Sequence, residues 1–401
     1  MGRHMKVAII GGGIVGLATA HQILHRYPAV QLLLLEKEDG PGKHQTGHNS
    51  GVLHCGLYYK PGSARARLAV TGIRRMVAFC EQHGVPYELC GKTVIATEPE
   101  EIPRLHALLE RGTANGLEGL QLLSREQIHE YEPHAAGLAG IRVPQEGITD
   151  YAGVAEAMAK EIRARGGDIR FSSKVTRLRR KNRWAIETTS GDYEADFLIT
   201  CGGLHCDRVS RMAGSREPAK IVPFRGEYFM IRPERQFLVN NLIYPVPDPK
   251  FPFLGVHFTR LIHGGREAGP NAVLAFAREG YRQTDFSLRD TIETLTYRGF
   301  WRFFLRYPGM CWDELKRSYN KELFCRSLQR LVPELQKDDL TPGGAGVRAQ
   351  SMSPDGELVD DFQFARQDGA LHVLNAPSPA ATAALAIADE IVDKSQEAIA
   401  G

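Results

Sequence analysis

Apolar positions along this chain fall into two kinds of block. Short continuous runs, Val7-Ala-Ile-Ile10, Leu32-Leu-Leu-Leu35 and Phe197-Leu-Ile-Thr200, lack polar alternation and predict strands buried on both faces. Longer stretches predict helices: one following Gly13, one at 152–165, and an alanine-rich one at 382–394. The first block reads strand, glycine turn, helix, strand. A second, residues 146–215, begins with the helix at 152–165 and passes through Gly166-Gly167 into a strand at 169–175. A hairpin follows, its strands at 184–189 and Tyr193 and its turn at Ser190-Gly-Asp192. The run at 197–200 then enters Cys201-Gly-Gly203 and a helix. A third block, 340–398, holds a strand at 371–374 and the last helix. The segments between differ in character. Residues 81–145 carry a helix at 102–112 and short strands. Residues 216–339 carry an aromatic strand at 227–231, a Pro/Phe-rich stretch at 244–252 and a helical region at 287–331. The pattern predicts an α/β chain. A Rossmann-type nucleotide-binding domain in three segments (5–80, 146–215 and 340–398) receives an inserted α+β substrate-binding domain (81–145 and 216–339) on a mixed or antiparallel sheet.

The first block carries the most chemistry. Gly11, Gly13 and Gly16 form G-x-G-x-x-G between strand and helix. Gly11 permits the tight turn, Gly13 lets backbone approach a pyrophosphate, and Gly16 lets helix and strand pack closely. The helix start offers unpaired N–H groups and the positive dipole end to phosphates. Glu36, closing the second strand, is placed to accept both hydroxyls of an adenosine ribose and disfavours a 2′-phosphate. The motif predicts a dinucleotide other than NADP, without separating NAD from FAD.

Bulk composition narrows the class. With 401 residues the chain exceeds one small core, and two domains are expected. Net charge is +3, near balance, which gives no basis for a nucleic-acid partner. Seven cysteines without a C-x-x-C pair predict reduced thiols in a cytosol-like compartment and no metal site. Residues 1–4 read as the remnant of a tag, and the motif begins so early that no signal peptide is expected. No apolar run reaches the roughly 18 residues of a membrane span. One stretch complicates the picture: Tyr297, Phe300, Trp301, Phe303, Phe304 and Tyr307 interleave with Arg298, Arg302 and Arg306. Such a helix either lies in a membrane interface or packs its aromatics inward and leaves a basic face in water.

Several polar residues stand in places that suggest a site. The segment Thr46-Gly-His-Asn-Ser-Gly-Val-Leu-His54 is small, polar and glycine-punctuated, suited to run along a cofactor. Tyr58, Tyr59 and Lys60 follow it and can line a ligand cavity. Arg348, in Gly343-Gly-Ala-Gly-Val-Arg348, can bring a guanidinium fork to a carboxylate. Arg225 and His257 sit in apolar strands, and a histidine there is either a satisfied core residue or a general base. Asn271 and Arg278 are further polar candidates. The loop Asn375-Ala-Pro-Ser-Pro-Ala-Ala-Thr382 leads into the last helix, whose N-terminus can stabilise a developing anion.

Together these residues resemble the D-amino-acid-oxidase-like superfamily of FAD oxidoreductases over nearly the whole chain. Gly11 to Gly16 with Glu36 is similar to its FAD fingerprint, and Cys201-Gly-Gly-Leu-His-Cys-Asp207 to its second flavin motif. Gly346-Val-Arg348 with Pro354-Asp-Gly356 is similar to its substrate-arginine motif. More narrowly, residues 44–54, 58–61, 221–227, 244–248, 251–258, 269–276, 344–350 and 375–382 resemble the L-2-hydroxyglutarate dehydrogenases, also called oxidases. The resemblance departs at Ala277, where the family usually has lysine, and at the aromatic–basic helix. It implies FAD, held non-covalently, and oxidation of L-2-hydroxyglutarate to 2-oxoglutarate. It implies electron delivery to a quinone or another acceptor such as O2, by a cytoplasmic protein peripheral on the inner face of the cell membrane. Arg348 is then expected to hold the C1 carboxylate, and His257, or failing that His54, to take the hydroxyl proton. Arg225, Lys60 or Arg278 is expected to meet the distal carboxylate, with Tyr59 and Asn271 also lining the substrate. FAD contacts are expected from Gly11, Gly13, Ile14, Val15, Gly16, Glu36 and Lys37. Further ones are expected from Thr46, His48, Asn49, Ser50, Gly51, Val175, Cys201, Gly202, Gly203 and Arg348, and from Pro377, Ser378, Ala380, Ala381 and Thr382. The alternative on the same fold is a flavin enzyme acting on another small carboxylate or an amine, such as an amino acid or glycerol 3-phosphate.

Overall fold

The computed structural model describes residues 4–249 and 255–400. Two large sheets organise them. The first has six strands in the order Gln363–Gln367, Ala370–Asn375, Phe197–Thr200, Lys6–Ile10, Gln31–Leu35 and Asp168–Arg170. All neighbours run parallel except the first pair. Alternation splits the central strand between two cores. Val7 and Ile9 share one with helices Ile14–Arg26, Tyr151–Ala164 and Ala384–Ala400. Ala8 and Ile10 share the other with Leu178, Trp184 and Ile186 of a small three-stranded sheet. Both faces are covered, which is why these strands read as unbroken apolar runs.

The second sheet has nine strands. Eight lie in the order Val273–Leu274, Lys220–Ile231, Arg266–Gly269, His257–Arg260, Leu242–Pro245, Lys92–Ala96, Ala139–Val143 and Gln121–Ser124. One face carries Ile95, Ile243, Phe258 and Ala268 against the helix Lys321–Gln329. The pleat therefore sends Lys92, Tyr244, His257, Thr259 and Glu267 to the opposite face, because side chains alternate along a strand. A short antiparallel sheet of Val52–Leu53, Gly147–Thr149 and Tyr87–Glu88 brings residues from both sides of the sequence together at its edge.

Three expectations change. The run at 169–175 is not one strand. Asp168–Arg170 ends in the six-stranded sheet, and Val175–Arg180 starts the three-stranded one. Ser172 between them has φ 52°, in the left-handed region, and turns the chain from one sheet to the other. Leu340–Met352, expected with the nucleotide-binding segments, runs antiparallel along Lys220–Ile231 in the nine-stranded sheet. The helical region at 287–331 is four helices, Leu288–Leu295, Arg298–Arg306, Pro308–Tyr319 and Lys321–Gln329, with Pro308 starting the third. The aromatic–basic helix divides its residues. Tyr297, Phe300 and Phe303 are buried with Val222 and Phe224, while Trp301, Phe304 and Leu305 are exposed. Residues 250–252 of the Pro/Phe-rich stretch, 251–254 of the motif at 251–258, and 1–3 of the tag remnant lie outside the described residues.

Candidate active site

The glycine turn is packed against the end of the Phe197–Thr200 strand. Gly11 has φ 114°, and a Cβ there would sit 2.3 Å from the Cys201 carbonyl oxygen. A Cβ on Gly16 would sit 2.0 Å from the Gly11 carbonyl oxygen. Gly13 caps the helix at Ile14–Arg26, and its missing side chain leaves open space, the nearest atom being Thr46 Oγ1 at 3.6 Å. Ile14 donates its N–H to Thr46 Oγ1 at 3.0 Å. Glu36 is buried, its carboxylate accepting from the Gly12 N–H at 2.5 Å and the Glu38 N–H at 2.9 Å. A turn with room for phosphates, a helix start and a fixed acid at the next strand end fit an adenine dinucleotide. The loop bearing His48 to Gly51 leans on the Arg348 strand, since a Cβ at Gly346 would lie 2.5 Å from the His48 carbonyl oxygen. Val175 opens its strand half-buried against Leu178 and Trp184, and Val15 is half-buried on the first helix.

The face of the nine-stranded sheet opposite the Lys321–Gln329 helix carries a buried polar cluster. Lys92 and Glu146 are both fully buried and paired to each other. The Lys92 ammonium lies 4.0 Å from the Tyr244 ring centre and 5.0 Å from that of Tyr58, so two aromatic faces share its charge. His54 Nδ1 is 3.5 Å from both Glu146 Oε2 and Lys92 Nζ. The His257 ring stacks on Tyr244 at 3.9 Å. His257 Nδ1 lies 2.9 Å from the Gly255 carbonyl, which can only accept, so Nδ1 carries the hydrogen and Nε2 presents the lone pair. Burial, joined by Lys92, Arg348 and His54, pushes the His257 imidazole down to about 3. Burial alone would raise the Glu146 carboxyl, but Lys92 and His54 together hold it at about 2. Arg348 lies near enough to act on both His257 and Tyr228, and Ser50 hydrogen-bonds Tyr228. Glu267, two positions along the same face, has an oxygen with no hydrogen-bond partner among the described residues, and burial pushes it up to about 8.

The structure thus gathers His54, His257, Arg348, Tyr58 and Ser50 and releases several expected residues. Arg225 is buried in an ion pair with Glu227, at 3.1 and 2.8 Å. Asn271 holds the same carboxylate at 2.9 Å and accepts the Glu227 N–H at 2.8 Å. Arg225 thus balances the Glu227 charge, and Asn271 satisfies its second oxygen. Arg278 is fixed by Asp207, one bond at 2.9 Å, and by the Leu204 carbonyl at 2.8 Å. It forms a buried ion pair joining the Cys206–Met212 helix to the turn after the Val273–Leu274 strand. Lys37 reaches Glu279 at 2.7 Å and also pairs with Glu38, so two carboxylates match its charge. Glu38, His44 and Glu279 lie close enough together to suggest a cation site, and the Lys37 ammonium already lies among them. Asn49 turns its amide back to Gln45 and Thr46 and shapes the loop. The Thr382 hydroxyl is committed to Tyr151 at 2.6 Å and accepts the His54 N–H at 3.2 Å, so this side chain positions His54. Pro377, Ser378, Ala380 and Ala381 form the turn before the last helix, and Arg65 donates to the Ser378 carbonyl at 2.7 Å while lying over the Tyr59 ring. Lys60 is exposed beside Tyr59. Lys92, Glu146, Tyr228 and Glu267 were not expected. A lysine opening the otherwise apolar run at 92–96 is a readable signal, whereas Glu146 sits in a turn after Pro144 and gives none.

A dinucleotide cradle on a parallel sheet, facing a second sheet lined with arginine, histidine and lysine, defines a two-part flavin oxidoreductase. The family model for FAD-dependent oxidoreductases matches residues 6–394, so FAD is the group this cradle serves. The chain is 49% identical over 390 residues to the L-2-hydroxyglutarate dehydrogenase of Indibacter alkaliphilus, covering 97% of this chain and 98% of that one. It is 50% identical over 394 residues to the Escherichia coli L-2-hydroxyglutarate dehydrogenase, covering 98% and 93%. Among solved structures, the L-α-glycerophosphate oxidase of Mycoplasma pneumoniae, with FAD bound, shares the fold at a TM-score of 0.78 and 21% identity, covering 98% of this chain and 94% of that one. With these relatives, the chain belongs to the L-2-hydroxyglutarate dehydrogenase family of FAD-dependent oxidoreductases.

Proposed function

We propose that this chain oxidises L-2-hydroxyglutarate to 2-oxoglutarate. The observation that carries the reading is the set of cations and imidazoles on and beside the second sheet, Lys92 and His257 buried and Arg348 and His54 half-buried. It suits a small carboxylate bearing a hydroxyl, and the near-full-length relatives carry that substrate in their names. Arg348 grips the C1 carboxylate by a charge-assisted fork and so orients the C2–H. An imidazole lone pair in the cluster takes the hydroxyl proton. When bound, FAD supplies the hydride acceptor. With Arg225 and Arg278 committed elsewhere, Lys60 at the rim is the remaining expected cation for the distal carboxylate. Anaerobic titration with L-2-hydroxyglutarate, its D-enantiomer, lactate, malate and glycine tests this. The L-enantiomer alone should bleach the flavin at micromolar to low-millimolar concentration, and bleaching by glycine instead would move the enzyme to amine oxidation.

Electron delivery to a membrane quinone by a peripherally bound protein is part of the same reading. Among the described residues no helix is long and apolar enough to cross a membrane. The exposed Ile292, Trp301, Leu305 (73%), Trp312 (59%), Leu315 and Tyr319 lie on three consecutive helices, beside Arg298 and Lys316. That composition suits an interface with anionic lipid. Flotation with anionic vesicles should recover the protein, and L305E/W312E should lose most of that recovery; equal recovery would place the patch in another role.

A further inference from the structure

Two histidines face the proposed substrate position, and their surroundings differ. His257 has a carbonyl on Nδ1, an aromatic ring on its face and the cations Lys92 and Arg348 nearby. Only the Gly255 carbonyl favours a positive imidazole there; burial and the two cations oppose it, and no carboxylate among the described residues faces the ring. His54 instead turns Nδ1 toward a buried carboxylate. We propose that Glu146 is the positioning residue that fixes the tautomer of His54, making His54 the group that accepts the substrate's hydroxyl proton. This rests on the 2-hydroxyacid reading given above.

The geometry supports each part. Glu146 Oε1 accepts the Cys55 N–H at 3.3 Å and holds the backbone after His54, while Oε2, paired with Lys92 and without a hydrogen bond among the described residues, faces His54 Nδ1. Thr382 pins the His54 backbone from the other side. Glu146 is fully buried and the His54 side chain is 20% exposed, so the open part of the ring lies away from Nδ1. The separation of 3.5 Å is at the long limit of a hydrogen bond. Lys92 completes the arrangement. Paired with Glu146, it keeps that carboxylate ionised at any working pH, so Glu146 can only accept. The Lys92 ammonium also lies 3.5 Å from Nδ1, but its charge is directed to Glu146 and to the Tyr58 and Tyr244 faces. In the proposed tautomer Nδ1 carries the hydrogen toward Glu146, and Nε2 offers its lone pair outward. The charged and titratable groups facing His54 are Lys92, Glu146, Arg65 and His257, with Tyr58 and Tyr59 neutral. In the reaction the C2–H leaves as hydride to the flavin, the O–H bond breaks, C2=O forms, and the proton ends on His54 Nε2. The ring's second hydrogen faces Glu146 throughout, as in other histidine–carboxylate pairs.

The test uses the FAD-loaded protein labelled with 15N-histidine. Ring nitrogen shifts report the tautomer, and the signal lost in H54N assigns His54. Wild type should show a protonated Nδ1 and an unprotonated Nε2; E146Q should shift toward the Nε2-protonated form. Stopped-flow flavin reduction by L-2-hydroxyglutarate should slow at least tenfold in E146Q with KM changed less than about threefold. K92M/E146Q removes the stranded ammonium and should stay slow. A wild-type His54 protonated on Nε2, an unchanged tautomer in E146Q, or recovery of the rate in K92M/E146Q would overturn the proposal. The shifts are read without substrate, so a protein that no 2-hydroxyacid bleaches refutes the reaction while leaving the tautomer result standing.

Discussion

The cofactor cradle and the substrate face are built by opposite strategies. In the cradle, backbone does the work. Gly11 and Gly16 matter because a single Cβ would drive atoms to 2.3 and 2.0 Å, and the helix start offers N–H groups suited to phosphates. On the substrate face, side chains do the work, and they arrive from separate strands and loops: Lys92, Glu146, His54, His257 and Arg348. The first site is local in sequence and indifferent to what is oxidised. The second is non-local and sets the chemistry. If this division is right, damage to each should produce a distinct loss.

Arg348→Ala makes the sharpest separation. Losing the guanidinium should lower kcat/KM for L-2-hydroxyglutarate by roughly a thousandfold, since a bidentate charged contact and the orientation it imposes are both removed. FAD content per chain should stay at the wild-type level. A variant that keeps its activity, or that purifies colourless, would join the two sites and break the comparison.

Gly11→Ala probes the other side. The φ of 114° strains any side chain, and the added methyl meets the Cys201 backbone, which cannot swing aside. FAD retention measured by absorbance after gel filtration should fall about a hundredfold in affinity. Residual holoenzyme should turn over substrate with a near-normal rate of flavin reduction. A slowed reduction step at full FAD occupancy would show that the turn also sets the substrate geometry.

This division explains what could be read from the chain. Gly11, Gly13, Gly16 and Glu36 are legible because their spacing is the geometry, one strand–helix–strand unit seen end on. His257 stands out as a polar residue on an apolar strand, and Arg348 as the arginine of a glycine-rich one. The same rule selected Arg225, Asn271 and Arg278, which serve Glu227 and Asp207. A polar group in a buried strand needs a partner whether or not it meets a ligand, and sequence does not say which. Glu146 shows the limit. His54 reaches it because Gly147–Thr149 pairs with Val52–Leu53, and Lys92 because the same strand pairs with Tyr87–Glu88 and Gly91 donates to the Glu146 carbonyl, contacts no local pattern announces. The break at Ser172 was missed for the same reason: a run of strand-forming residues does not reveal which of two sheets each half will join.

Glu267 gives the smallest effect and the finest test of the substrate face as a polar surface folded into the interior. Its carboxyl is pushed from 4.5 up to about 8 by burial, with one oxygen unpartnered among the described residues. The folded state therefore holds the proton more tightly than the unfolded one. Stability from this group is fully present below pH 4.5, declines as pH rises toward 8, and is flat above. The decline is at most about 1.4 kcal/mol per pH unit. Glu267→Gln cannot ionise, keeps the size, and should remove that slope. The difference in Tm between E267Q and wild type should be near zero at pH 5 and favour E267Q by about 2 °C or more at pH 8.5. Comparing the two proteins cancels the titration of every other group. If the difference does not grow with pH, Glu267 is ionised and compensated in the folded protein, and this end of the sheet behaves as surface, with only the Lys92–Glu146 side truly enclosed.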